Sequence, residues 1–134
     1  MTRTDTRTVL VVDDSKLARM VACKALAKLR PDWACIEAGD VRQAIDALSA
    51  QKVDISLIDL NMPGGGGLEL AADLRRQQPD MPIAVVTANI QDEIVARVRE
   101  LDATFVPKPL TEEALSAFLA GANLRLGKAA QRGA

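Results

Sequence analysis

Asp54-Ile-Ser-Leu-Ile-Asp59 is the stretch that decides the fold. Its middle is nearly continuous in apolar side chains, as in a parallel strand covered on both faces, and it closes on a carboxylate. On either side of it, short apolar runs recur at Thr8–Val12, Trp33–Ala38, Pro82–Thr87 and Thr104–Val106. Stretches with helical spacing lie between them. Ala18, Val21, Ala22, Ala25 and Leu29 share one face, and Val41, Ala44, Ile45 and Leu48 another. Leu70, Ala71 and Leu74 form a third; Ile90, Ile94, Val98 and Leu101 a fourth; Leu115, Phe118, Leu119 and Ala122 a fifth. Asp40 suits the N-cap of the second helix, Pro31 and Pro79 stop the first and third, and Thr111 followed by Glu112 and Glu113 opens the fifth. A β-α order repeated five times predicts right-handed crossovers and an α/β sandwich.

The pattern runs from residue 7 to residue 124 and contains no internal repeat or linker, so one domain is expected there. Residues 1–6 and 125–134 are expected to be short tails, the second of them frayed. Of the 134 residues 49% are hydrophobic and 26% charged, enough apolar material for one core. Lys plus Arg is 17 against 18 Asp plus Glu, which gives no electrostatic reason to expect nucleic acid or an anionic membrane as a partner. The polar N-terminus has no apolar stretch long enough for a signal peptide or a span, so a cytoplasmic address and no membrane insertion are expected. In that compartment Cys23 and Cys35, with no CxxC spacing, are expected as reduced, packed thiols. The chain has no histidine, which removes His-based metal sites and Ser/His or Cys/His catalysis. Aromatic residues are 2%, too few to stack a flavin or a run of bases.

Chemistry collects at the carboxyl ends of the runs, where open parallel sheets bind ligands. The first run ends in Asp13-Asp14, the third in Asp59 and the fourth in Thr87, and Lys108 follows the fifth. Three acids held together repel one another, and a hard dication with oxygen ligands relieves this. Magnesium suits such a set. A carboxylate can itself accept a phosphoryl group, a reaction that depends on positioning and charge neutralisation more than on proton transfer. Asp59, ending the central run, is the best acceptor. Lys108 would pair with the phosphoryl group and the Thr87 hydroxyl would donate to it.

These residues sit in four motifs: Val11-Val-Asp-Asp-Ser15, Asp59-Leu-Asn-Met-Pro63, Val86-Thr-Ala88 and Phe105-Val-Pro-Lys-Pro109. In order and spacing they resemble the response-regulator receiver family, over about residues 7 to 124. The resemblance implies a flavodoxin-like, doubly wound (βα)5 parallel sheet with strand order 2-1-3-4-5. It implies that Asp13, Asp14, Asp59 and the backbone carbonyl of Asn61 bind magnesium, and that Asp59 is the phosphoacceptor. Thr87 and Phe105 become the switch residues and Lys108 the phosphoryl contact, with a cis Lys108–Pro109 bond. Asn61 and Asn89 would flank the attacking water. The donor would be a sensor histidine kinase or a histidine phosphotransfer protein. A downstream protein would read the face made by the fourth helix, fifth strand and fifth helix. Such a protein catalyses its own phosphorylation and autodephosphorylation and turns over nothing else. With no room for a DNA-binding domain, output by protein contact is expected; the alternative is a receiver excised from a larger regulator or hybrid kinase. A phosphatase of the aspartyl-phosphate type would need Asp-x-Asp after the first run, but Asp13 and Asp14 are adjacent. A flavodoxin-like electron carrier would need the aromatics this chain lacks. Gly64–Gly67 departs from the family, which often has a single glycine near Gly67; ordering four is entropically costly, so this loop is expected to be mobile. Trp33 is expected to lie at the end of the sheet opposite the acids.

Overall fold

A computed structural model describes residues 6–133. Five strands and five helices alternate: β1 Thr8–Val12, α1 Lys16–Leu29, β2 Ala34–Ala38, α2 Val41–Ala50, β3 Ile55–Asp59, α3 Gly67–Gln77, β4 Ile83–Thr87, α4 Asp92–Glu100, β5 Thr104–Pro107 and α5 Glu112–Gly133. All strand pairs are parallel and the sheet order is β2-β1-β3-β4-β5. The three inner strands β1, β3 and β4 are the runs with nearly continuous apolar side chains, because each of their faces is covered by helices. Val9, Val11, Ile55, Leu57, Ala84 and Val86 pack with α1 and α5, whereas Leu10, Val12, Ile58, Ile83 and Val85 pack with α2, α3 and α4. Among the described residues no helix is long and apolar enough to cross a membrane.

The expected caps are in place. The Asp40 carboxylate accepts from the Gln43 N–H, the Thr111 hydroxyl oxygen accepts from the Ala114 N–H, and α1 and α3 end before Pro31 and Pro79. Trp33 is buried just outside β2, level with the start of β1 and so at the end of the sheet away from the acids. The Lys108–Pro109 peptide is cis.

Four expectations are corrected. Residues 125–133 do not fray but continue α5, with Leu126 packed on the core and Arg125 bonded to the Pro79 carbonyl and the Asp102 carboxylate. Small and basic residues obscured a helix whose anchors lie in distant turns. On α1 the buried stripe runs through Ala22 and Leu26, leaving Val21 exposed, and on α2 Ile45 is exposed. Ile90 precedes α4 and is 68% exposed. Finally, Cys23 and Cys35 are joined in a disulfide, with Cα atoms 5.7 Å apart, within the range such a bond spans. Cys35 alternates with Ile36 on β2, so its side chain turns to the α1 face, where Cys23 meets it.

Candidate functional site

Strand register builds the site. Val11 pairs with Leu57 and Val12 with Ile58, so the next residues, Asp13 and Asp59, come level on neighbouring strands. Both continue the odd-numbered series that faces α1 and α5, and their carboxylates therefore meet on one side of the sheet edge. Asp14 completes the cluster: one carboxylate oxygen from each of Asp13, Asp14 and Asp59 lies within 4.8 Å of the other two. Lys108, beyond β5, places its Nζ 2.9 Å from Asp59 Oδ1. A cleft of about 430 Å³ opens over these four residues, walled by Leu17, Val21 and Leu110.

Asp59 is buried, at 2% exposure. Its Oδ1 accepts from Lys108 and from the Asn61 N–H, at 2.9 Å each. Its Oδ2 is buried and has no hydrogen-bond partner among the described residues. A buried carboxylate oxygen without a partner costs free energy unless something else satisfies it. Burial also pushes the Asp13 carboxyl above its ordinary value; the Ser15 N–H pulls it back, and the charge of Asp59 raises it again. Crowded carboxylates and an orphaned oxygen are the donor set a hard dication fits, and magnesium bound by Asp13, Asp14 and Asp59 would neutralise that repulsion.

Thr87 is not turned toward Asp59. It follows Val85 on the face covered by α3 and α4, and its hydroxyl donates to Asn61 Oδ1 at 3.3 Å while accepting from the Asn89 N–H at 3.0 Å. Asn61 Oδ1 also accepts from the Ala88 N–H. The side chain of Asn61 thus ties the β3 and β4 loops together, a role its position in the motif did not disclose. Phe105 stands level with Val85, one pleat short of Thr87 on the same face, and packs half-buried against that layer.

Sequence reasoning also missed Arg19. Its Nη1 donates to the Asp13 carbonyl at 2.7 Å and its Nε pairs with Glu37 of β2 at 3.1 Å. The signal was there: Arg19 lies one helical turn beyond Ser15, whose side chain caps α1, so the helix returns it beneath the acidic loop. The glycines divide into two uses. Gly64, Gly65 and Gly66 have φ of 82°, 71° and 92°, which other residues adopt with strain. A Cβ on Gly67 would stand 3.0 Å from the Asp59 carbonyl, so there the demand is for space.

A model of the response regulator receiver domain matches residues 9–120. The chain belongs to that family. As a receiver domain it is a module of two-component signalling; receiver domains as a family bind magnesium at an acidic pocket and interact with histidine kinases and downstream effectors. Response regulator MprA of Mycolicibacterium vanbaalenii is 35% identical over 112 residues, which cover 81% of this chain and 47% of that protein. The phosphate regulon transcriptional regulatory protein PhoB of Pseudomonas aeruginosa is 32% identical over 124 residues, covering 90% and 53%. This receiver domain therefore spans about half the length of these relatives. Among solved structures, the chemotaxis protein CheY4 of Vibrio cholerae superposes with a TM-score of 0.78 at 27% identity, over 87% of this chain and 98% of that one. A response regulator from Thermotoga maritima gives 0.78 at 25% identity, over 89% and 98%.

Proposed function

We propose that this receiver domain accepts a phosphoryl group on Asp59 from a phosphohistidine of a sensor kinase or phosphotransfer protein, and signals by protein contacts. A carboxylate oxygen of Asp59 attacks phosphorus, the N–P bond breaks, and the imidazole leaves with that electron pair. The observation that carries this reading is the Asp59 carboxylate itself: buried, one oxygen held by Lys108, the other without a partner, and Asp13 and Asp14 beside it. Lys108 offsets the charge arriving on the phosphoryl oxygens. Asp13, Asp14, Asp59 and the Asn61 carbonyl would hold magnesium, which would supply the remaining positive charge. Thr87, now bonded to Asn61, exchanges that partner for a phosphoryl oxygen, and Phe105 on the same face follows. The result is a remodelled α4-β5-α5 face that a downstream protein reads in the cytoplasm. Asn61 and Asn89 flank the water that later hydrolyses the acyl phosphate, so the domain catalyses only its own phosphorylation and dephosphorylation.

The test is incubation with magnesium and acetyl phosphate, followed by intact-mass and peptide mass spectrometry. One phosphoryl group on Asp59 is expected, with none on Asp59→Asn; undiminished labelling of that variant would sink the assignment. The length of the relatives favours a second reading of the same site, in which these residues are the receiver of a larger regulator or hybrid kinase. The mass of the native protein, detected in its source cells with an antibody to this domain, separates the two.

A further inference from the structure

Arg19 and Cys23 stand four residues apart on α1, and Cys35 and Glu37 two apart on β2, so each pair shares one face of its element. The faces meet at two ties, the Arg19–Glu37 ion pair and the Cys23–Cys35 disulfide. β2 is an edge strand, joined to the sheet by β1 alone. Helix α1 in turn holds the acidic loop, because the Ser15 N–H donates to Asp13 Oδ1 and Arg19 Nη1 donates to the Asp13 carbonyl. The Asp13 N–H also donates to the Ala38 carbonyl at the end of β2, so the seating of α1 on β2 adds to the holds that place Asp13 beside Asp59. The ion pair is a weak tie, with the Glu37 side chain 40% exposed. The disulfide is the strong tie, and both its cysteines are half-buried.

We propose that Cys23–Cys35 is a thiol–disulfide exchange site whose oxidation state sets the cation affinity of the acidic cluster; this rests on the function proposed above. The exchange partner is a low-molecular-weight disulfide of the glutathione type. One cysteine thiolate attacks the reagent and releases one small thiol. The second attacks the resulting mixed disulfide and releases another. The protein gives up two protons and two electrons, and the reagent's S–S bond is reduced to two thiols; reduction is the reverse. Oxidised, α1 is pinned and the three carboxylates are pre-arranged. Reduced, the acidic loop must be ordered when the cation binds, and affinity falls.

The test equilibrates the protein in oxidised or reduced glutathione and then removes the reagent. Manganese(II) binding is followed by loss of the free-ion electron paramagnetic resonance signal, together with thermal melts. Mass spectrometry without reductant should show the bridge in the oxidised sample. Its dissociation constant for manganese is expected to be roughly three- to tenfold tighter than in the reduced sample, and its melting temperature roughly 10 °C higher. The Cys23→Ser/Cys35→Ser double variant should match the reduced form and ignore the redox buffer; should it not fold, reduced wild type carries the comparison. Free thiols after oxidised glutathione, affinities equal within twofold, or a double variant that still responds would each overturn the proposal. Equal cation binding with Asp59 phosphorylated in both states removes this inference alone. Absence of both cation binding and phosphorylation in either state removes the proposed function, and the inference with it.

Discussion

The two ends of the sheet are built on opposite principles. Beyond the amino ends of β4 and β5, Arg75 of α3 donates to the carbonyls of Gln78, Pro79, Leu101 and Asp102. Arg125 of α5 joins it on Pro79 and Asp102, so helices from both layers are tied together around the edge. Burial, and then the charge of Arg125, pull the Arg75 pKa down, yet donors and acceptors there are matched. At the carboxyl ends, three acids crowd around one lysine and Asp59 Oδ2 goes unsatisfied. One end is closed and contributes stability; the other is left in electrostatic conflict that a ligand can relieve. Binding energy is available at a site only to the extent that the free protein leaves it unsatisfied.

The largest effect is expected from Lys108→Ala. It should slow phosphorylation of Asp59 by acetyl phosphate by ~100-fold, because a positioned donor to developing charge is lost. A labelling time course by mass spectrometry measures it, and a change under threefold would mean that the lysine serves only the ground state. Next in size is the cation. At a hundred times its dissociation constant magnesium should stabilise the domain by ~2.7 kcal/mol, a melting shift of roughly 10 °C. Asp59→Asn should melt higher than wild type without metal and gain less from it, since one repelling charge has gone. If wild type gains nothing and the variant melts lower, the three acids do not form one site.

At the closed end, Arg75→Ala removes four donations to part-buried and exposed carbonyls and should lower stability by about 1 kcal/mol in urea unfolding. Its phosphorylation rate should stay within twofold of wild type. A large rate loss without a stability loss would reverse the roles assigned to the two ends. The smallest effect concerns Asp13, whose folded pKa lies above the ordinary 3.8. The folded state binds that proton more tightly than the unfolded chain. Its contribution to stability therefore grows as pH falls through the raised value and levels off below 3.8. The difference between metal-free wild type and Asp13→Asn, measured by urea unfolding from neutral pH downward, should show that rise. A difference that is flat or of opposite slope would mean that Asp59 and burial do not raise this carboxyl.

Features that depend on local spacing could be read directly from the residues. Apolar runs of strand length, the existence and order of the five helices, the caps at Asp40 and Thr111 and the stops at Pro31 and Pro79 follow from bond geometry within a few residues, and each was legible. The candidate site was legible too, because a parallel sheet delivers successive strand ends to one edge, so Asp13, Asp14, Asp59 and Lys108 met without knowledge of any side-chain contact. Tertiary structure alone decided the rest. Thr87 turns to Asn61 because the pleat puts it on the face opposite Asp59; Val21 is exposed and Leu26 buried because α1 rotates to meet β2. The Cys23–Cys35 bond and the anchoring of α5 through Arg125 join segments whose separation in the chain says nothing about their distance. Those contacts are set by how the helices seat on the sheet, which is a property of the whole core and of no single stretch within it.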